Sequence, residues 1–181
     1  MAIRVKFDGF RIQIHKLRLA VALFGKNGGN LTTRFPTIAA AVITLPVRSC
    51  IIDGELIAAG KDGAPDLRAL LHGRNVPVCV YAFDILELQG RDFCELPLEQ
   101  RSARLKALLA RPKGNLLRYS EAFPDAGALL AECARLGLEG IVCSRKESAY
   151  RSGTRSGWIK VKTEQWKAAN QWRGEFFEKQ S

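Results

Sequence analysis

The stretch Ile3-Arg4-Val5-Lys6-Phe7-Asp8-Gly9-Phe10-Arg11-Ile12-Gln13-Ile14 reads as two short strands with a glycine between them. Phe10 to Ile14 alternates apolar and polar residues, as a half-buried antiparallel strand does, and Gly9 permits a sharp change of direction. A third apolar run, Leu19 to Phe24, follows directly, so the chain opens on consecutive short strands. If Arg4 to Asp8 is extended, the period of two puts Lys6 and Asp8 on one face. A lysine on a rigid strand edge beside a carboxylate can serve as a nucleophile. The same pair also reads as a surface ion pair, and the local motif does not choose between the two.

Working outward, Lys26 to Asn30 is a turn by composition, and a helix is expected from Thr33 or Arg34 to Leu45, between Pro36 and Pro46. Ser49 to Ala59 is a strongly apolar strand interrupted by Asp53-Gly54-Glu55. Carboxylates in such a run are costly to bury unless paired or bound to a cation, so they mark either a site or a tight turn. Gly60 to Gly63 reads as a loop and Pro65 to Leu71 as a short helix. Val76 to Leu88 is the clearest strand, with Phe83 and Asp84 inside it. Alone, Phe83 reads as core and Asp84 as the cap of a turn.

Pro97 to Ala110 is an amphipathic helix, with Leu98, Leu105, Leu108 and Leu109 on one side and Arg101, Arg104 and Lys106 elsewhere. Asn115 to Tyr119 is extended, and Asp125 to Leu136 is a second amphipathic helix closed by Gly137. Glu139 heads a further strand to Ser144, and Tyr150 to Gly157 is a basic loop carrying Arg151 and Arg155. In Trp158 to Lys162 the period of two puts Lys160 and Lys162 on one face, a pattern that an edge strand facing solvent also produces. The tail from Thr163 is expected to be helical and to fold Trp166, Trp172, Phe176 and Phe177 back on the body. Strands and helices in this order give an α+β protein with mainly antiparallel sheets flanked by helices.

The 181 residues suit a single domain, and a net charge of +10 attracts polyanions, nucleic acid first. No apolar run approaches the ~20 residues that span a bilayer, so no membrane role is expected. The five scattered cysteines form no C-x-x-C pair, which points to reduced packing residues in a cytoplasmic protein and away from a zinc site.

Five pieces now stand in order: the Lys6 block, Asp53-Gly54-Glu55, Tyr81-Ala82-Phe83-Asp84, Glu139-Gly140 and Trp158-Ile159-Lys160-Val161-Lys162. Together they resemble the nucleotidyltransferase motifs of ATP-dependent DNA ligases, most closely the ligase module of bacterial end-joining ligases. The similarity runs along nearly the whole chain and includes Asn27-Gly28, Thr33-Arg34-Phe35-Pro36, Asp62-Gly63-Ala64-Pro65-Asp66 and Tyr150-Arg151-Ser152-Gly153.

The resemblance implies the nucleotidyltransferase (ATP-grasp-like) ligase adenylation fold and the cofactors ATP and Mg²⁺. It makes Lys6 the residue that attacks the α-phosphate and becomes lysine-AMP, with Lys160 and Lys162 holding that phosphate. A lysine amine attacks only when neutral, a form that neighbouring cations favour. Asp8 then orients and does not act as a base. The resemblance further assigns Arg11 and Lys26 to phosphates, Phe83 to stacking on adenine with Asp84 behind it, and Glu55 and Glu139 to the ribose and metal. It implies nicked or broken double-stranded DNA as partner, a role in DNA repair and recombination, and a location at the bacterial nucleoid.

The pattern also breaks. Arg4 stands where the family usually has an acid, Lys26 where it has an arginine, and Ser144 where end-joining ligases carry a lysine. Residues 1–181 are expected to be one adenylation domain, without the segment that usually precedes the lysine and without the OB-fold that usually follows. A separate OB-fold or end-joining protein would then complete it, and adenylation by the chain alone is expected to be slow. Two other functions fit the same residues: a basic remnant that binds DNA without chemistry, and a related RNA ligase or capping enzyme.

Overall fold

Alternation in the first strands fixes which side chains face the core, and the rest of the architecture follows from that choice. The computed structural model describes residues 1–60, 65–72, 76–110, 114–153 and 157–171. The expected loop at Lys61 to Gly63, Asp62 to Ala64 of the family resemblance, Arg155, and Trp172, Phe176 and Phe177 of the tail lie outside the described residues.

In chain order the elements are β1 (Ala2–Lys6), β2 (Phe10–Leu17), β3 (Ala20–Gly25), α1 (Pro36–Ile43), β4 (Ser49–Ala58), α2 (Leu67–His72) and β5 (Val78–Leu88). There follow β6 (Arg91–Asp92), α3 (Leu98–Leu109), β7 (Leu117–Tyr119), α4 (Ala126–Arg135), β8 (Gly140–Ser144), β9 (Ile159–Lys162) and α5 (Glu164–Ala169). The α+β class is as expected. One sheet has the order β3-β2-β4-β5-β6, with β7 added to β5 as a parallel strand, and the other has the order β1-β8-β9. The helix expected from Thr33 or Arg34 starts only at Pro36, whose missing N–H suits a first turn.

The two sheets each bury one face. In the large sheet Ile12, Ile14, Ile52, Leu56, Val80 and Ala82 enter the main core, so Arg11, Glu55 and Tyr81, which pair in register across β2, β4 and β5, point the other way. In the small sheet Ile3 and Ile141 pack with Leu129 and Cys133 of α4, which turns Arg4 and Lys6 to the opposite side. The polar faces of both sheets thus meet across a cavity. Asp125 caps α4 by accepting from the N–H of Ala128, and Gly137 closes it at φ 66°, as its sequence implied. Trp166 is buried, so the tail does fold back at that residue.

Lys16 is an unexpected core component. Its buried Nζ donates to the carbonyls of Val42 (3.2 Å), Ile43 (2.6 Å) and Leu45 (2.7 Å), satisfying the orphan acceptors at the C-terminal end of α1. Lys16→Met keeps the stem but removes the ammonium from all three carbonyls, of which Val42 and Leu45 keep backbone donors from Leu45 and Val47. It is expected to lower stability by about 2 kcal/mol, read as the shift in a urea unfolding midpoint. All five cysteines are free thiols, three of them buried, consistent with packing. Among the described residues no helix is long and apolar enough to cross a membrane.

Candidate nucleotide site

Register across the small sheet sets one row of Lys6, Gly140 and Lys162 and a second of Arg4, Val142 and Lys160. These rows place four cations, Arg4, Lys6, Lys160 and Lys162, on one face, and Lys160 and Lys162 do share it as their spacing implied. Gly140 is required in its row. Its φ is 148°, and a Cβ there would lie 2.0 Å from the Val161 carbonyl oxygen, so only glycine lets β8 and β9 pair this closely.

Lys6 and Glu139 meet at 2.5 Å, and Lys162 reaches the other oxygen of Glu139 at 3.1 Å. Glu139 is buried, so two lysines share one desolvated carboxylate. Glu139 is thus a partner of Lys6 that the local motif did not show; β1 ends at Lys6, and Asp8 lies beyond the strand. Asp8 is also not among the residues lining the cavity. Glu139, which the resemblance puts near the ribose and metal, is engaged by both lysines.

The cavity is walled by both sheets. Lys6, Arg11, Glu55, Phe83, Trp158 and Lys160 line it. Phe83 is the extra residue of a β-bulge, since Asp53 pairs with Asp84 while Gly54 pairs with Ala82. Bulges re-aim side chains beside sites, and here the Phe83 ring meets Trp158 edge-on at 5.2 Å. Phe7 and Tyr81 stack at 3.8 Å and join the two sheets next to the cavity.

Burial pushes the Glu55 carboxyl up to about 7; Lys6 opposes the shift and Glu139 adds to it. Burial also pulls Lys160 below the ordinary lysine value, reinforced by the charges of Lys6, Arg11 and Lys26. Arg11 is clamped by Asp53 at 2.6 and 3.2 Å and reaches Tyr150 Oη at 3.3 Å. The Asp53 hydrogen bond raises its guanidinium further. Asp53-Gly54-Glu55 is therefore no tight turn: all three lie inside β4, with Asp53 paired to Arg11 and Glu55 lining the cavity. Lys26 lines a neighbouring cleft, with Asp53 and Tyr150, that shares Arg11 with the Lys6 cavity.

Asp84 does not cap a turn. Its carboxylate is fully buried and accepts from Arg101 Nε (2.7 Å) and Nη2 (2.9 Å). The helical pattern had put Arg101 off the apolar side of α3; the structure buries it completely. Tyr150 was not singled out by the sequence as a partner of Asp53; Arg4, noted there as standing in an acid's place, lines the cavity.

The family model described as ATP dependent DNA ligase domain matches residues 1–162. The chain belongs to the ATP-dependent DNA ligase domain family. Among curated relatives, the multifunctional non-homologous end joining protein LigD of Pseudomonas aeruginosa is 36% identical over 166 residues, covering 89% of this chain and 20% of that protein. A probable DNA ligase of Streptomyces coelicolor is 33% identical, with 89% of this chain and 35% of that one covered. The ligase-family domain thus spans between a fifth and about a third of these relatives.

Among solved structures, the ligase domain of M. tuberculosis LigD superposes with a TM-score of 0.79 at 28% identity, covering 89% of this chain and 54% of that one. A mycobacterial DNA ligase D complexed with ATP and MES gives 0.76, also at 28% identity and with the same coverage. The ligase fold expected from the motif order is the fold found.

Proposed function

We propose that this domain forms a covalent lysine-nucleotide on Lys6 and passes the nucleotidyl group to the 5′-phosphate of broken or nicked DNA. The observation that carries the reading is the cavity itself, where one lysine, held against a buried carboxylate, opens onto an aromatic slot. Lys6 Nζ attacks the α-phosphorus of ATP, a P–N bond forms, and the P–O bond to pyrophosphate breaks. The lysine proton has Glu139 within reach at 2.5 Å. Lys160 and Lys162 offer N–H donors to the charge that develops on the α-phosphate. Phe83 and Trp158 give the base an apolar wall.

The charge of Glu139 acts on Glu55, and two such carboxylates are a donor set that suits Mg²⁺, which takes one or two carboxylates together with substrate phosphates. When bound there, the ion would neutralise phosphate charge. Among the described residues no group of three or more His, Cys, Asp or Glu side chains is arranged for a metal by itself, so phosphate and water oxygens would complete the shell. The net charge of +10 provides the attraction for DNA, in the manner of the named relatives that are DNA ligases.

The test is incubation with Mg²⁺ and ATP labelled at the α-phosphate, followed by addition of nicked duplex. An acid-labile protein label that moves to the 5′ end of the nick is expected. DNA binding without any protein label would favour the non-catalytic alternative, and transfer to RNA alone the RNA-joining one. Phe83→Ala should raise the nucleotide concentration for half-maximal labelling about 10- to 100-fold, the scale of one lost base–aromatic stack, with little change in the maximal rate.

A further inference from the structure

Lys162 stands on an edge strand, where a long side chain is poorly held by its own backbone. The small sheet ends on β9, whose residues are all exposed, and the Lys162 side chain is itself 40% exposed. A flexible four-carbon stem in such a place has many rotamers open to it. Its Nζ nevertheless lies 3.1 Å from Glu139 Oε1 and 4.3 Å from the centre of the Trp166 ring. An ammonium over an indole face is attracted by the ring quadrupole, and tryptophan is the strongest aromatic side chain in this respect.

The ring is fixed in the same frame as the carboxylate. Trp166 is buried and belongs to α5. Thr163 Oγ1 accepts from the Trp166 N–H at 3.3 Å, which caps the helix, and donates to the Leu138 carbonyl at 3.1 Å. The Thr163 N–H donates to the Glu139 carbonyl at 2.9 Å. One buried threonine thus ties the helix that carries the ring to the backbone that carries Glu139. α5 lies beyond residues 1–162, the part that matches the family model, so the ring is supplied from outside the matched segment.

The two anchors of Lys162 differ in what the reaction does to them. In the proposed step Lys6 gives a proton to Glu139, the P–N bond forms, and the P–O bond to pyrophosphate breaks. Glu139 loses its charge in that step, and its ion pair with Lys162 weakens just when the ammonium is needed on the α-phosphate. The attraction to a ring face does not depend on the protonation of Glu139. We infer that Trp166 is a positioning residue that holds Lys162 beside Lys6 while Glu139 takes up the proton. The inference rests on the reading of Lys6 as the nucleophile. Trp166 acts through Lys162 and touches no substrate.

Single-turnover labelling of the intact chain by α-labelled ATP with Mg²⁺ provides the test. Trp166→Leu, checked for native circular dichroism, should lower the maximal rate about 5- to 30-fold, the scale of one partly desolvated cation–π contact, with the half-saturating ATP concentration changed less than about threefold. Trp166→Phe keeps a ring face and should recover most of the loss. In a Lys162→Ala background Trp166→Leu should cost less than about twofold, because the group it positions is gone. A second reading is independent of activity. In the unmodified chain with carbon-13-labelled lysines, the ring current of Trp166 is expected to move the Lys162 ε-methylene protons upfield of the other lysines. Their absence in Lys162→Arg identifies them.

An equal loss with and without Lys162 makes Trp166 merely structural and overturns the inference, as does faster labelling in Trp166→Leu. If Trp166→Leu does not fold, the Lys162 signal in the unmodified chain decides. Label in the unmodified chain with that signal at the ordinary lysine position removes the role of Trp166 and leaves Lys6 as the nucleophile. No label in the unmodified chain removes the reaction and, with it, this role.

Discussion

Replacing Lys6 by arginine will abolish covalent nucleotide labelling while leaving the protein folded. Arginine retains the positive charge that Glu139 needs, so the buried carboxylate stays compensated by two cations. It cannot act as the nucleophile, because a guanidinium does not give up its proton in the working range. Lys6→Ala will lose the label equally, and Glu139 then keeps Lys162 at 3.1 Å as its remaining partner. Lys162→Ala leaves Lys6 and its carboxylate in place and removes one donor to the α-phosphate. Labelling there should slow about 10²- to 10³-fold without disappearing. Gel quantitation of labelled protein beside thermal unfolding curves measures all three. Residual label in folded Lys6→Arg at the unmodified level would assign the nucleophile to another residue.

The largest stability effect belongs to Arg101→Met, which is expected to cost about 3–5 kcal/mol, the range for stripping one partner from a buried ion pair. Both side chains are 0% exposed, so the stranded Asp84 carboxylate finds no water. Arg101 also donates through Nη1 to the carbonyls of Leu96 and Ser148, tying the segment before α3 to the segment after β8. In a protein of this size the loss corresponds to a fall in melting temperature on the order of 10 °C. The double exchange Arg101→Met with Asp84→Leu removes both charges and should recover much of the deficit, because an apolar pair of similar volume is often as stable as the ion pair it replaces. Chemical denaturation of the single and double variants settles the point; a single-variant loss below about 1 kcal/mol would contradict it.

The strands and most helices could be read from periodicity, because burial of one face imposes a period of two or 3.6 on the residues themselves. That holds for β2 and for α4, with its Asp125 cap and Gly137 stop. It also holds for Lys160 and Lys162, whose shared face needs only an extended backbone. The family, too, was legible, since five short motifs in a fixed order carry more information than any one of them.

Pairing across the sheets was not legible. Asp8, two residues away, was the acid visible beside Lys6; Glu139, 133 residues on, is brought to 2.5 Å from it when β1 pairs with β8. Asp53 looked like a turn or a site residue until Arg11 and Tyr150 closed on it from other elements. Arg101 looked like the polar side of an amphipathic helix because the acid that draws it inward lies on another element. The bulge that re-aims Phe83 and the parallel docking of β7 on β5 likewise depend on register. By itself, then, the sequence determined the elements, the family and the residue types available for chemistry, because those are consequences of local spacing. Only the tertiary structure decided which charges share a desolvated site, because compensation of a buried charge depends on distance in space and not on separation along the chain.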